Sequence, residues 1–476
     1  MYSMNVSLHQ WLLATLVAVG LLGLTACDST IDKTPQQSVP PDQVFANLPA
    51  AEAALTGAYD GLQQNGVFGG FPIIAADFTA DIVNFSGSFR TWNNAENFNV
   101  TATHGPTVNL WGDHYDLINR ANLVIDNAPS VPNIDEAIEN DLIGQAKFIR
   151  ALAYFNLVRW FGAPYQPGGA NTQPGVLLAT EAVESTNPEF NQPRATVGEI
   201  YDLITRDLED AIDRLDVKGE RVRAGAGSAR ALLAKVYLYQ GRWDDAEAQA
   251  RAVINLPPFE LTPPSEPFQN EGSTDIVFAI SFSNIDNTGV NDFPTSFYLP
   301  GDLGGRGDAN PLQGFLADAE DGDVRASIGD FNGANLLYGF DGSVWSNKWT
   351  DPSLGDDVPV LRVGEMHLVL AEALARGSGS ESDARAAVNA VRTRAGLPEV
   401  ADDLSGQDLI DEIIRQRRYE LAFEGDRRHD LQRLGRPISS GTATATVGDP
   451  QRLLPIPQRE IDVNNALTED SQNPGY

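Results

Sequence analysis

The stretch Phe85-Ser86-Gly87-Ser88-Phe89-Arg90-Thr91-Trp92-Asn93-Asn94 carries residue types that recognise sugars. Trp92 offers a flat face to stack on the apolar side of a pyranose ring. Arg90, Asn93, Asp77 and Asp81 offer planar or charged partners for hydroxyl groups. A second set lies much later in the chain: Phe297, Tyr298, Trp345 and Trp349, of which Tyr298 and Trp345 are candidates to join the first. Such contacts are presented by loops on a rigid scaffold. The same residues have a plainer use, in which Trp92 plugs its loop into the core, and the sequence leaves both readings open.

Catalytic and metal-binding patterns are sparse. The chain has no HExxH, no phosphate-binding Walker loop and no GxSxG. A glycosidase needs two carboxylates at a set separation, one with a raised pKa. With 65 Asp and Glu residues some pair is always available, so the pattern carries little weight. Asp318, Glu320, Asp321 and Asp323 resemble a calcium loop in composition but lack its glycine. The run Glu420, Glu424, Arg427, Arg428, Asp430 reads as an internal ion-pair network. Opposite charges recur at helical spacing around the apolar Tyr419, Leu421 and Phe423. Arg150, Arg159 and Tyr154 read the same way, and Trp111 and Tyr115 read as core. No catalytic residue, metal site or cofactor is expected.

The elements that hold these residues are mostly helical. Helical periodicity spans 45–64, 108–127, 136–160 and 196–215, the last opening with a capping box, Thr196 and Glu199. Residues 66–108, rich in Gly, Asn, Thr and aromatics, read as a long ordered loop region. Ser228 to Ile254 reads as two helices joined at Gly241, with small alanines where helices approach closely, like one tetratricopeptide pair. Arg362 to Arg394 looks like another pair, and Ala146 to Trp160 with its preceding helix a third. Such pairs bury their faces by stacking. Residues 256–360 are an irregular, Pro- and Gly-dense insertion with short strand-like runs such as Ile276 to Phe282.

The chain carries a formal charge of −32, which argues against nucleic acid as a partner. Only five of its 33 basic residues are lysines. That balance fits a protein working in high salt, or an acidic envelope protein of a GC-rich genome. The apolar run from Trp11 to Leu24 is a secretory leader, too short to span a bilayer. It ends in Leu24-Thr25-Ala26-Cys27, which resembles the lipobox of bacterial lipoproteins, although no Lys or Arg precedes the run. That resemblance implies removal of residues 1–26, lipid on Cys27 (the only cysteine) and a flexible tether over 27–43.

Three further motifs carry a resemblance over nearly the whole mature chain. Arg150-Ala151-Leu152-Ala153-Tyr154-Phe155 through Phe161-Gly162-Ala163-Pro164 resembles the RA-x-AYF…[FW]G-x-[VP]P signature of the SusD/RagB family. Glu420-Leu421-Ala422-Phe423-Glu424-Gly425 and its flanks are similar to the family's ELAFEG segment. Leu454-Pro455-Ile456-Pro457 through Gln472-Asn473-Pro474-Gly475-Tyr476 is similar to its LPIP…QNPGY ending. Trp111 to Asn122 also looks like a helix of that family. The resemblance implies a mostly α SusD-like fold of about four tetratricopeptide-like helix pairs plus a loop-rich region with short strands. One SusD-like domain would run over 44–476: an N-terminal part 44–255, the insertion 256–360 and a C-terminal part 361–476. It also implies a non-catalytic lipoprotein on the outer face of the outer membrane. Its task would be to capture a nutrient, foremost a glycan or oligosaccharide, for a SusC-like TonB-dependent barrel. The alternative is a surface scaffold or peptide binder that uses its helix pairs without binding sugar.

Overall fold

The structure is a computed structural model that describes residues 45–183, 191–217 and 221–476. The leader, Cys27 and the tether lie outside the described residues.

Among the described residues, twelve helices of seven residues or more carry the architecture. Helix α1 (Leu48–Leu62) starts where the Asn47 side chain accepts from the Ala50 amide, and α2 (Phe71–Phe78) and α3 (Arg90–Glu96) follow. Helices α4 (Gly105–Asn127) and α5 (Glu136–Phe161) are the longest. Then come α6 (Val197–Arg214), α7 (Ala226–Gln240) and α8 (Trp243–Ile254). Beyond the insertion lie α9 (Val363–Arg376), α10 (Glu381–Arg394), α11 (Gly406–Glu420) and α12 (Arg427–Arg433).

Neighbours in this order stack: α4 on α5, α5 on α6, α6 on α7, α7 on α8, α8 on α9 and α9 on α10, with α1 against α4. Four pairs result: α1 with α4, α5 with α6, α7 with α8, and α9 with α10. Local signals set the ends. The Thr196–Glu199 capping box forms in both directions and starts α6. Gly241 turns the chain between α7 and α8 at φ +69°, and a Cβ there would meet Pro167 at 2.7 Å.

Residues 66–108 are not the expected loop. They hold α2 and α3, and α4 begins at Gly105. All eight residues of α2 are buried. A helix enclosed on every side has no polar face, so its sequence shows no amphipathic period.

The insertion contributes short strands. Ile276–Ile280 pairs antiparallel with Val358–Arg362. Leu337–Phe340 and Ser343–Ser346 form a hairpin with Ile328–Gly329 alongside. Ala309–Pro311 pairs antiparallel with Val83–Phe85, which ties the insertion to the N-terminal loop.

The expected internal ion-pair network forms, with partners drawn from distant elements. Glu420 receives Arg362 at 2.9 Å and Arg394 at 2.5 Å. Glu424 receives Lys348 at 2.6 Å and Arg362 at 2.7 Å. Asp430 joins Arg417 and Arg433, each at 2.8 Å. Arg150 forks onto Asp207 through two bonds of 2.7 Å. Arg428 departs from the expectation: it is buried, donates to the Arg452 carbonyl and stacks over Trp160, with no carboxylate partner. Burial pushes its pKa down to about 9. The lysines of the described residues are all paired too: Lys147 with Asp210, Lys235 with Glu365 and Asp426, Lys348 with Glu424.

Candidate functional site

The residues singled out as sugar contacts mostly turn inward. Trp92 is 4% exposed and sits among Phe71, Phe78 and Phe297, with ring centroids 5.4, 5.8 and 4.9 Å away. The α3 turn that carries it packs against α2 and the insertion, so its ring is core and offers no stacking face. Asp77 and Tyr298 do meet, but with each other. The Tyr298 hydroxyl donates to the Asp77 carboxylate at 2.6 Å, and neither residue is exposed. Burial pushes the Asp77 carboxyl up to about 8. Asp81 is clasped by Arg427 at 2.7 and 2.9 Å and by Arg418 at 3.2 Å. Burial works against its charge, but these guanidiniums outweigh it and hold the carboxyl below its ordinary range. Trp345 is buried, with its indole N–H donating to the Phe340 carbonyl and its ring edge against Gly307. Phe297 and Trp349 are buried as well.

Arg90 and Asn93 remain at the surface, with the Asn93 amide donating to the Phe89 carbonyl at 3.2 Å. The residue missed from sequence is Phe89. It is 49% exposed, one of the large apolar side chains left open to solvent. The Arg306 guanidinium lies 4.3 Å from its ring and 4.8 Å from that of Phe297. An aromatic ladder therefore climbs from the core to the surface: Trp92, Phe297, Arg306, Phe89. Arg306 is itself held by Asp308. The strand pairing of Val83–Phe85 with Ala309–Pro311 sets the two loops side by side. The Ser86 hydroxyl reaches Asn310 at 3.3 Å, and Asn310 donates to the Val344 carbonyl at 3.1 Å. The result is a rim with one supported, half-open ring, a free arginine and several amides. It offers stacking and hydroxyl hydrogen bonding. The sequence signal for Phe89 was its place in the same aromatic and amide stretch as Trp92; nothing local told the two rings apart.

Three of the four carboxylates in the acidic cluster of the insertion are spent on arginines, and Asp321 is exposed. Asp318 binds Arg418 at 3.0 Å, Glu320 binds Arg392 and Arg415, and Asp323 binds Arg325 at 2.8 Å. Among the described residues, no group of three or more His, Cys, Asp or Glu side chains is placed to hold a metal ion.

Residues 341–476 match the SusD family, and residues 32–238 match a family described as starch-binding and associating with the outer membrane. The chain belongs to the SusD/RagB family. SusD-like protein P2 of Formosa agariphila is 28% identical over 520 residues, covering 96% of this chain and 98% of that one. The starch-binding protein SusD of Bacteroides thetaiotaomicron is 34% identical over 132 residues, which is 25% of this chain and 22% of that one. A crystal structure of a putative sugar-binding protein from Bacteroides vulgatus superposes with TM-score 0.80 at 26% identity, covering 91% of this chain and 99% of that one. The helical SusD-like fold is thus shared along almost the entire chain. The ELAFEG-like segment now has a physical reading as well. Its two glutamates feed the buried arginine network, and Gly425 allows α12 to approach α2. At φ +79°, a Cβ on Gly425 would lie 2.8 Å from the Ile73 Cα.

Proposed function

We propose that this SusD/RagB family member is a non-catalytic surface lipoprotein that binds a glycan at the Phe89 rim and passes it to a SusC-like TonB-dependent barrel. The leader over 1–26 is removed, Cys27 carries lipid, and residues 27–43 tether the body over 44–476 to the outer face of the outer membrane. The supporting observation is the ladder from Trp92 through Phe297 and Arg306 to Phe89. An exposed aromatic face is available to stack on the apolar side of a sugar ring. One held rigid by a stacked guanidinium loses little entropy when a pyranose ring covers it. Arg90 stands beside it to donate to hydroxyls, and Asn93 to donate and accept. Relatives named as starch-binding and sugar-binding proteins point to the same ligand class.

The test is affinity electrophoresis of the mature chain against a panel of neutral and acidic polysaccharides, with Phe89→Ala and Arg90→Ala beside the wild type. Retardation by at least one polysaccharide, relieved by Phe89→Ala, is the expected result. Retardation that neither substitution changes would move the site elsewhere. Pull-down of a barrel from an outer-membrane extract by the lipidated chain tests the partner.

A further inference from the structure

A cavity that shares no lining residue with the rim lies among the helix pairs. It measures about 320 Å³ and is lined from α7, α8, α9, α11 and α12 and the segments beside them. Trp243, Tyr239 and Pro167 supply its apolar side; Arg376, Arg433 and Arg436 supply charge. Its size falls within the range of small-ligand sites.

The charge of this cavity runs against the rest of the molecule. Carboxylates outnumber basic residues about two to one along the chain, 65 against 33. Here three arginines line the wall with one carboxylate, Glu372, while Asp430 and Asp411 hold Arg433 and Arg436 from outside the lining. Glu372 is fully buried and already engaged. Arg433 forks onto it at 2.7 and 2.8 Å, and the Arg376 Nε reaches it at 2.9 Å. Burial opposes its ionisation, yet the Arg433 guanidinium holds its carboxyl below the ordinary value.

The decisive feature is what the arginines leave over. Among the described residues, Arg376 spends only its Nε, on Glu372, and Arg436 only its Nη2, on Asp411 at 2.5 Å. The two Nη groups of Arg376 and the Nε and Nη1 of Arg436 keep their hydrogens for another acceptor. Paired guanidinium N–H groups match two oxygens of a carboxylate or of a sulfate ester. Trp243 is half-buried, with the Arg376 guanidinium 5.8 Å from its ring, so a flat ring and a charge-assisted donor edge share the same wall. Gln407, exposed at the mouth of this cleft, donates to the same Asp411 at 3.2 Å and leaves its amide oxygen for a hydroxyl. A cation would meet the unspent guanidinium edges here. A neutral sugar would use the ring but leave the guanidinium edges without an anionic partner.

We infer that this cleft is a second ligand site, for an acidic sugar whose ring stacks on Trp243 while its carboxylate or sulfate ester is bound by Arg376 and Arg436. The inference shares with the proposed function only that the ligand is a sugar; it uses none of the rim residues.

The test is calorimetric titration of the mature chain with three oligosaccharides matched in length: an oligogalacturonate, a sulfated galactan fragment and a neutral galactan fragment. Tryptophan side-chain NMR runs in parallel, with the Trp243 indole assigned by Trp243→Phe. At least one acidic probe should bind and shift the Trp243 indole signal. Arg376→Gln with Arg436→Gln should weaken that binding by about tenfold or more, whereas Phe89→Ala should leave it unchanged. The arm that binds tells uronate from sulfate. Arg436→Gln alone, a change at the surface, guards against misfolding of the double variant and should weaken binding in the same direction. The inference fails if neither acidic probe moves the Trp243 signal, if the neutral probe moves it equally, or if the arginine substitutions leave acidic binding intact. Loss of neutral-glycan binding in Phe89→Ala with acidic binding intact supports both sites. Loss of acidic binding in Phe89→Ala assigns that ligand to the rim and overturns the second site alone.

Discussion

The Tyr298 hydroxyl donates to the Asp77 carboxylate at 2.6 Å in a place closed to water, joining α2 to the insertion. The Gly425 amide donates to the other carboxylate oxygen at 3.2 Å. Burial raises the Asp77 pKa from its ordinary 3.8 to about 8, so the native state keeps a proton that the unfolded chain has released across that window. Stability from this group therefore falls as pH rises from about 4 to 8. Asp77→Asn has no such proton. The urea midpoint of the wild type should exceed that of Asp77→Asn by more at pH 5 than at pH 8. An equal gap at both would show that Asp77 is not held neutral.

Trp92 and Phe89, three residues apart, should respond in opposite ways. Trp92→Ala empties a packed site and should cost about 3–5 kcal/mol of stability. Phe89→Ala removes an exposed ring and should change stability by about 0.5 kcal/mol or less. It should nonetheless weaken glycan binding by roughly three- to tenfold, the worth of one stacked ring. Thermal melts and affinity electrophoresis on the same two variants separate core from platform.

Glu420 is buried among Arg362, Arg394 and Arg325. Burial opposes its charge, but the Arg394, Arg362 and Arg325 guanidiniums hold it well below the usual carboxylate range. Glu420→Gln leaves buried guanidiniums uncompensated and should cost about 3–5 kcal/mol at pH 7. A depressed pKa contributes stability above the ordinary carboxylate value and loses it as pH falls through the native one. Denaturation midpoints of wild type and variant should therefore converge below about pH 4.

Gly425→Ala forces a left-handed alanine, which costs about 1–2 kcal/mol, and drives its Cβ to 2.8 Å from the Ile73 Cα. Backbone cannot yield as a flexible side chain would, so the loss in urea stability should exceed the conformational term alone.

Cys27→Ser removes the thiol that would carry lipid. In a host that processes lipoproteins, this variant should leave the membrane fraction and keep its leader by mass spectrometry. Membrane retention without acyl mass on residue 27 would rule out the lipid anchor.

The helix pairs were legible because their cues are local: the Thr196–Glu199 box, Gly241, alanines at helical spacing. Helix α2 was not, because burial on every side erases the period that reveals a helix. The charges of Glu420, Glu424 and Asp430 could be read as a network. Arg362, Arg394 and Lys348, which complete it, come from other elements brought in by the tertiary fold. The rim was half legible. Its loop stood out by composition, but which ring faces solvent depends on Phe297 and Arg306, more than two hundred residues away in the chain. Asp77 and Tyr298, separated by 221 positions, posed the same difficulty.

The pairing of Lys147, Lys235 and Lys348 with carboxylates has a practical side. Lys235 and Lys348 are shut inside, and the Lys147 ammonium is held by Asp210, so the described body offers amine-directed reagents very little to react with. Cross-linking to a membrane partner, surface immobilisation and fluorescent labelling will go further through carbodiimide activation of the plentiful carboxylates. Among the described residues, lysine-specific proteases should likewise find few sites, while trypsin, cutting at exposed arginines, finds more.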